Sequence, residues 1–379
     1  MTRFCLLFLI IINILSCGFN NNITKAHQTS YIKDLKIINN QISFTTEDST
    51  YVYLSYKERF GNNSKYEAWS AGQPSLNHTY LLPIKNEGVD YQIKLAVLNL
   101  EKSILKDTTF VFTSTLHQEG FLKVHYINVQ QGDAILIQTP EGKNIQIDGG
   151  YGTRGNQPWQ GDGLPLALEY ITNLDITHLD YILETHRHLD HWGGLQDILD
   201  SPISHDIYLS PSNRHGYQIG STLAIDSSVV FQIYNIGYDD SYTGNNLNNS
   251  SIVMKVIYHD AEFLFMGDGE GIVQDWLYER EFDLSADVLM AAHHGANSNN
   301  TSDTIFLNKV LNQYAQIVIL SYGENNSYGH PRALNRFTKY QTYGTNPAPN
   351  TPAGNNFKLN SGSIEVITDG KMIYVTTER

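Results

Sequence analysis

The run Thr185-His186-Arg187-His188-Leu189-Asp190-His191 constrains this chain more than any other stretch. It places three imidazoles and a carboxylate on one short turn, followed by Trp192-Gly193-Gly194. Donors packed this closely are explained by a cation between them. Imidazole and carboxylate together suit a borderline divalent ion such as zinc, manganese or iron. The apolar run Leu179–Leu183 predicts a buried strand ending on this turn, and Trp192–Leu199 a helix leaving it. Junctions of strand end and helix start are where open α/β layers hold their ligands.

A chain of 379 residues accommodates one large domain and one small one. The formal charge of -14 disfavours a tight, nonspecific nucleic-acid surface, which would normally be basic. A local basic groove or bound cations would still admit a phosphodiester. At the N-terminus, Arg3 precedes an apolar run from Cys5 to Leu15, shorter than a membrane span and of signal-peptide type. Ile14-Leu15-Ser16-Cys17 resembles the lipobox of bacterial lipoproteins. That resemblance implies a signal peptide over 1–17, lipidation of Cys17, a tether over 18–29, and membrane anchoring on the periplasmic side or the cell surface. Cys5 and Cys17 are the only cysteines, so the mature chain would have no internal disulfide and no free thiolate ligand.

Two regions follow. Residues 30–116 read as a small all-β sandwich, with short strands at Ile37-Ile38, Ile42–Phe44, Tyr51–Tyr56, Thr79–Leu82, Tyr91–Val97 and Thr108–Phe112. This stretch loosely resembles a fibronectin type III domain, which implies spacing or docking. Its single histidine, His78, is expected at the surface. From 119 to 379 strands alternate with helices, predicting an α/β domain: strands over Leu122–Val129, Ala134–Ile137, Asn144–Asp148 and Ala261–Gly267, a helix over Leu164–Thr172, and further strand ends at Met290–Ala292 and Val318–Ser321.

Six segments of this second region occur in a telling order. They are Val129-Gln130-Gln131-Gly132-Asp133-Ala134, Ile147-Asp148-Gly149-Gly150, the histidine turn, Phe265-Met266-Gly267-Asp268, Ala292-His293-His294-Gly295 and Tyr328-Gly329-His330-Pro331. Together they resemble the metallo-β-lactamase superfamily, and within it the ComEC-like branch of hydrolase domains. The resemblance spans about residues 120–379 and implies an αββα sandwich with two divalent metal ions, zinc or manganese.

The same resemblance implies residue roles. His186 and His188 would share metal 1, and Asp190 and His191 would belong to metal 2. Asp268 would bridge the pair, and Asp148 would orient the histidine turn from behind. His330, expected at a helix start, would complete metal 2. Many superfamily members carry a further metal-1 histidine before the bridging Asp, but His205, His215 and His259 all lie in unconvincing contexts. The His293-His294 pair is expected to fill that gap, one as ligand and one against substrate, with His294 the favoured ligand. Asp133 is read as structural. Asp190 would also accept a proton during the reaction. Asn297, Ser298, Asn325 and Tyr328 are candidate donors to a substrate oxygen.

The implied activity is hydrolysis through a hydroxide bridging two metals, with phosphodiesters as substrate: extracellular nucleic acid or an envelope polymer. Two alternatives remain open: a carbonyl hydrolase such as a lactonase, thioesterase or β-lactamase, and a noncatalytic binding lipoprotein.

Overall fold

The computed structural model describes residues 31–59, 65–84, 86–115, 120–236, 246–354 and 356–379. The expected signal segment, the expected lipidation at Cys17 and the expected tether lie outside the described residues. Contacts divide the chain into two compact units. One comprises the chain up to Lys65 together with Ser75–Gln118, and the other comprises Tyr66–Pro74 and Glu119–Arg379.

The first strands along the chain are β1 (Ile32–Ile38), β2 (Gln41–Glu58), β3 (Lys65–Ser70), β4 (Ser75–Leu81), β5 (Asp90–Leu98) and β6 (Ile104–Thr113). In the first unit β2 pairs antiparallel with β1 and β4 through its first half and with β5 through its second, and β5 pairs with β6. The two short strands expected at Ile42–Phe44 and Tyr51–Tyr56 are thus one strand. Its pairing to β4 shifts register between Thr45 and Thr50, so a single strand serves two sheets.

His78 corrects a sequence expectation. It faces inward on β4 opposite Phe44, only 2% exposed, and stacks on the Phe44 ring at 4.6 Å. Its Nδ1 meets the Tyr80 hydroxyl at 2.7 Å and its Nε2 meets Thr50 Oγ1 at 3.1 Å. Burial pulls this imidazole down to about 4, outweighing a backbone hydrogen bond at Ser75. The period-2 alternation of β4 decides this, since His78 and Tyr80 share one face.

Residues 66–74 lie inside the sequence range assigned to the small β-region but belong to the second unit. There β3 pairs antiparallel with β21 (Met372–Thr377), Trp69 opposite Ile373. The second unit continues with β7 (Leu122–Tyr126), β8 (Ile135–Gln138), β9 (Asn144–Ile147), β10 (His178–Leu183) and β11 (Ser204–Leu209). Its first sheet runs β11-β10-β9-β8-β7-β20-β21-β3, where β20 is Ile364–Thr368. β9, β10 and β11 are mutually parallel and the rest antiparallel.

The second sheet runs in chain order: β12 (Thr222–Leu223), β13 (Val229–Ile236), β14 (Ile252–Tyr258), β15 (Ala261–Phe265), β16 (Val288–Met290), β17 (Ile317–Leu320), β18 (Gln341–Gly344) and β19 (Phe357–Leu359). It turns from antiparallel to parallel at β15. The two sheets meet where Tyr126 of β7 stacks on Phe265 of β15, ring centroids 6.2 Å apart.

Helices cover the outer faces. α1 (Leu166–Asn173) and α2 (Leu189–Leu199) bury Ala167, Ile171, Leu195 and Ile198 against Leu136, Leu179 and Ile182. α3 (Gly271–Glu279) and α4 (Thr304–Val310) bury Val273, Leu277, Phe306 and Leu307 against Leu264, Leu289 and Val318. α2 begins at Leu189, three residues earlier than Trp192. His191, Gly194, Leu195 and Ile198 then form one buried stripe at helical spacing, which draws His191 inward. No helix starts at His330; the next helical turn is Leu334–Arg336. Among the described residues no helix is long and apolar enough to cross a membrane.

Candidate metal centre

Four chain segments converge at one end of the facing sheets. The β10–α2 turn brings His186, His188, Asp190 and His191. The turn after β15 brings Asp268, whose amide donates to Ser251 Oγ at 3.0 Å. The turn after β16 brings His293 and His294, and the segment after β17 brings His330. A cleft of about 490 Å³ opens between His188, Asp190, Asp268, His293, His294 and His330.

Asp268 is 2% exposed and its two oxygens face different sides. Oδ2 lies 3.5 Å from His186 Nε2 and 3.8 Å from His293 Nε2. His186 Nε2 in turn stands 3.0 Å from His188 Nδ1. Oδ1 lies 3.2 Å from His191 Nε2 and 3.5 Å from His294 Nε2, and His294 Nε2 is 3.4 Å from Asp190 Oδ2. The donors therefore fall into two sets sharing one carboxylate. His186 and His188 gather with Asp268, and His191 and His294 gather with it separately. The sequence expectation set His294 beside His186 and His188 and His293 against substrate. The geometry groups His294 with His191 and turns His293 toward the His186 side. Both residues have left-handed backbone, φ 52° and 54°, so the pair does not leave β16 as an extended strand would.

His330 enters neither set. Its ring stands 5.1 Å from that of His293 and 5.8 Å from that of His294, on the cleft wall. Tyr328 lines the cleft beside it, ring centroids 5.8 Å apart, half-exposed, with its hydroxyl 3.1 Å from that of Tyr151. Asn297 and Asn325 are exposed and do not line the cleft, and Ser298 Oγ donates to Glu270 Oε1 at 3.4 Å. His205 and His215 are exposed, His215 Nε2 lying 2.8 Å from the Tyr208 carbonyl oxygen, and the His259 ring lies tilted against that of Tyr258; none of them is in either donor set.

Behind the imidazoles stands an outer layer of acceptors. His191 Nδ1 is 2.8 Å from Asp148 Oδ2, and Asp148 also accepts from Thr185 N at 2.8 Å and Thr185 Oγ1 at 2.6 Å. Asp148 is fully buried, and its neighbour Gly149 packs directly on α2. His294 Nδ1 donates to the Ser321 carbonyl at 3.0 Å, with Asp133 Oδ1 3.2 Å away. A carbonyl only accepts, so that nitrogen carries a proton, and Nε2, aimed inward, is the nitrogen a cation would take in place of a second proton. His186 Nδ1 meets Thr185 Oγ1 at 3.1 Å and Ser251 Oγ at 3.3 Å. Thr185, Ser251 and Glu270 escape a reading by motif. Asp133, read as structural, backs His294.

The donor set fits divalent cations. His191 Nε2, His294 Nε2 and Asp268 Oδ1 are buried, converge, and have no hydrogen-bond partner. Leaving such atoms unsatisfied costs about 1–3 kcal/mol each, more where charge is involved. A cation between them removes that cost. The charge pattern agrees. Burial raises the Asp268 carboxyl, but His191, His294, His293 and His186 outweigh it and hold it well below the usual range. Burial lowers His191 and His294, yet Asp268 with Asp148 or Asp133 holds both well above the ordinary value. Burial and neighbouring His191 push His186 well below it. Burial, His294 and His293 bring His330 down to about 3.

Residues 127–216 match the model of the Metallo-beta-lactamase superfamily. ComE operon protein 3 of Bacillus subtilis (strain 168) is 25% identical over 242 residues, covering 57% of this chain. The chain spans only 30% of that relative's length. Among solved structures, a long form RNase Z from yeast aligns over 65% of this chain and 47% of its own, with 11% identity and a TM-score of 0.34. A metallo-beta-lactamase from Cronobacter sakazakii with a HARLDQ motif aligns over 44% of this chain and 76% of its own, with 14% identity and a TM-score of 0.29. The second unit has the metallo-beta-lactamase fold, and its residues 127–216 are similar to the metallo-beta-lactamase superfamily.

Proposed function

We propose that the second unit is a two-metal phosphodiesterase acting on extracellular or envelope phosphodiesters. The observation that carries this reading is the division of the Asp268 carboxylate between two donor sets, Oδ2 toward His186 and Oδ1 toward His191. His186, His188 and His293 with Oδ2 would hold one cation. Asp190, His191 and His294 with Oδ1 would hold the other. When bound, two dications lower the pKa of water and neutralise charge spread over several phosphoryl oxygens, which suits a phosphodiester better than an acyl group.

The chain's own residues do the rest. Asp148 and the Ser321 carbonyl hold the Nδ1 protons of His191 and His294, so that with cations bound the Nε2 of each would be left to ligate. The Asp190 carboxylate faces the cleft, where it can receive the proton released as a P–O bond forms. His330 and Tyr328 on the wall bear on the substrate, in place of the metal-2 role expected for His330. Leu189, 37% exposed, stands on the same cleft.

The resemblance to ComEC-like hydrolases and the similarity to ComE operon protein 3 support an envelope setting. The lipobox-like Ile14–Cys17 pattern supports a lipid-anchored protein whose small β-region spaces the hydrolase from the membrane. The deciding experiment tests bis-p-nitrophenyl phosphate, single- and double-stranded DNA, nitrocefin and a lactone side by side with manganese or zinc. Phosphodiester cleavage that a chelator abolishes is the expected result, with close to two dications bound per chain. Turnover of nitrocefin or the lactone alone would move the protein to the carbonyl hydrolases. Two bound metals without any turnover would leave a binding lipoprotein.

A further inference from the structure

We propose that Glu270 is the positioning carboxylate of His293, and that it secures the donor set on the His186 side; this rests on the two-metal reading above. His191 and His294 each have a firm acceptor on Nδ1, whereas His293 Nδ1 has no aligned hydrogen-bond partner. Glu270 Oε1 faces it at 3.5 Å. Glu270 stands two residues beyond Asp268 and is 3% exposed.

The carboxylate is itself held on every side. Asn299 Nδ2 donates to Oε2 at 2.7 Å and Asn246 Nδ2 donates to the same oxygen at 2.9 Å. Ser298 Oγ reaches Oε1 at 3.4 Å, and the Glu270 amide donates to Asn249 Oδ1 at 3.1 Å. Two amides therefore fix Oε2, leaving Oε1 directed at His293. The clamp also restrains unfavourable backbone. His293 and Asn299 are both left-handed, φ 52° and 47°, a state that persists in non-glycine residues only where surroundings enforce it. Gly271, the next residue, allows the approach: a Cβ there would meet the Asn299 carbonyl oxygen at 2.3 Å.

The consequence is tautomeric. An anionic acceptor at Nδ1 keeps the proton on that nitrogen and leaves Nε2, 3.8 Å from Asp268 Oδ2, free to ligate. A glutamine at 270 has the same shape but one oxygen instead of two. If its oxygen faces the two asparagine amides, its NH2 faces His293 and demands the opposite tautomer.

The experiment measures metal content and affinity of the full chain by titration and elemental analysis, with the thermal midpoint alongside. Glu270→Gln should keep the fold and the metal held with His191 while weakening the metal on the His186 side about ten- to a hundredfold. His293→Ala should weaken the same metal, and Glu270→Gln combined with His293→Ala should be no worse than His293→Ala alone. Glu270→Asp, which keeps the charge but withdraws the oxygen, is the second variant and should weaken that same metal. Two metals at unchanged affinity in Glu270→Gln, loss of both together, or additive losses in the double variant would each overturn the proposal. A wild-type chain that binds no metal would instead overturn the two-metal reading beneath it.

Discussion

Gly194 of α2 lies so close to Gly149 that a Cβ added to it would stand 1.9 Å from the Gly149 carbonyl oxygen. This approach brings the first turn of α2, with His191, onto Asp148. In an open helix, glycine to alanine gains up to about 1 kcal/mol. Here Gly194→Ala should instead destabilise by about 1–3 kcal/mol and weaken the His191-side metal. Urea unfolding with and without metal checks both. A more stable variant would mean that helix and turn can part freely.

The two donor sets predict a pattern of couplings. His294→Ala should remove the metal held with His191 and leave about one dication per chain. Combined with His191→Ala it should cost little more, while combined with His186→Ala it should strip both metals. Elemental analysis of the three variants reads this directly. The reverse pattern would restore His294 to the His186 side.

Asp148→Asn should leave the fold nearly intact and lower metal affinity or turnover about ten- to a hundredfold, since the amide can no longer fix both Thr185 and the His191 proton. Normal metal content with normal turnover would mean that the histidine turn is positioned without it.

His78 predicts a pH dependence in the first unit. Its imidazole is held neutral by burial, near 4 in the folded chain against about 6.5 unfolded. Below the unfolded value the unfolded chain binds more protons, so stability rises with pH. The stabilisation is complete above about 6.5 and is lost as pH falls toward 4, amounting to about 3 kcal/mol. Other carboxylates titrate in the same window, so the readout is the difference in urea midpoint between the wild type and His78→Gln. That difference should shrink from pH 7 to pH 4.5; a constant difference would rule the histidine out.

Local spacing made the centre legible: His186, His188, Asp190 and His191 lie on one turn, and Asp268 ends an apolar strand. What stayed hidden depends on chain direction after a turn. His293 and His294 go to opposite sides because both backbones are left-handed, which a strand-end pattern does not announce. Glu270 left a signal, a second carboxylate two residues past Asp268, but its role depends on asparagines distant in sequence. His78 was misread because its inward direction follows from pairing with Phe44, not from its own polarity. His330 carried a ligand's look, yet its chain segment sets it on the wall.

The strand β3 has a consequence for how this protein can be divided. Its residues pair with β21 of the second unit, while the chain before and after it belongs to the first. A proteolytic or genetic cut near residue 119 would therefore deprive the hydrolase of β3 and bare the main-chain groups of β21, an invitation to self-association. Separating the two units cleanly takes three cuts and a transplanted strand, so neither is a module that one break can release.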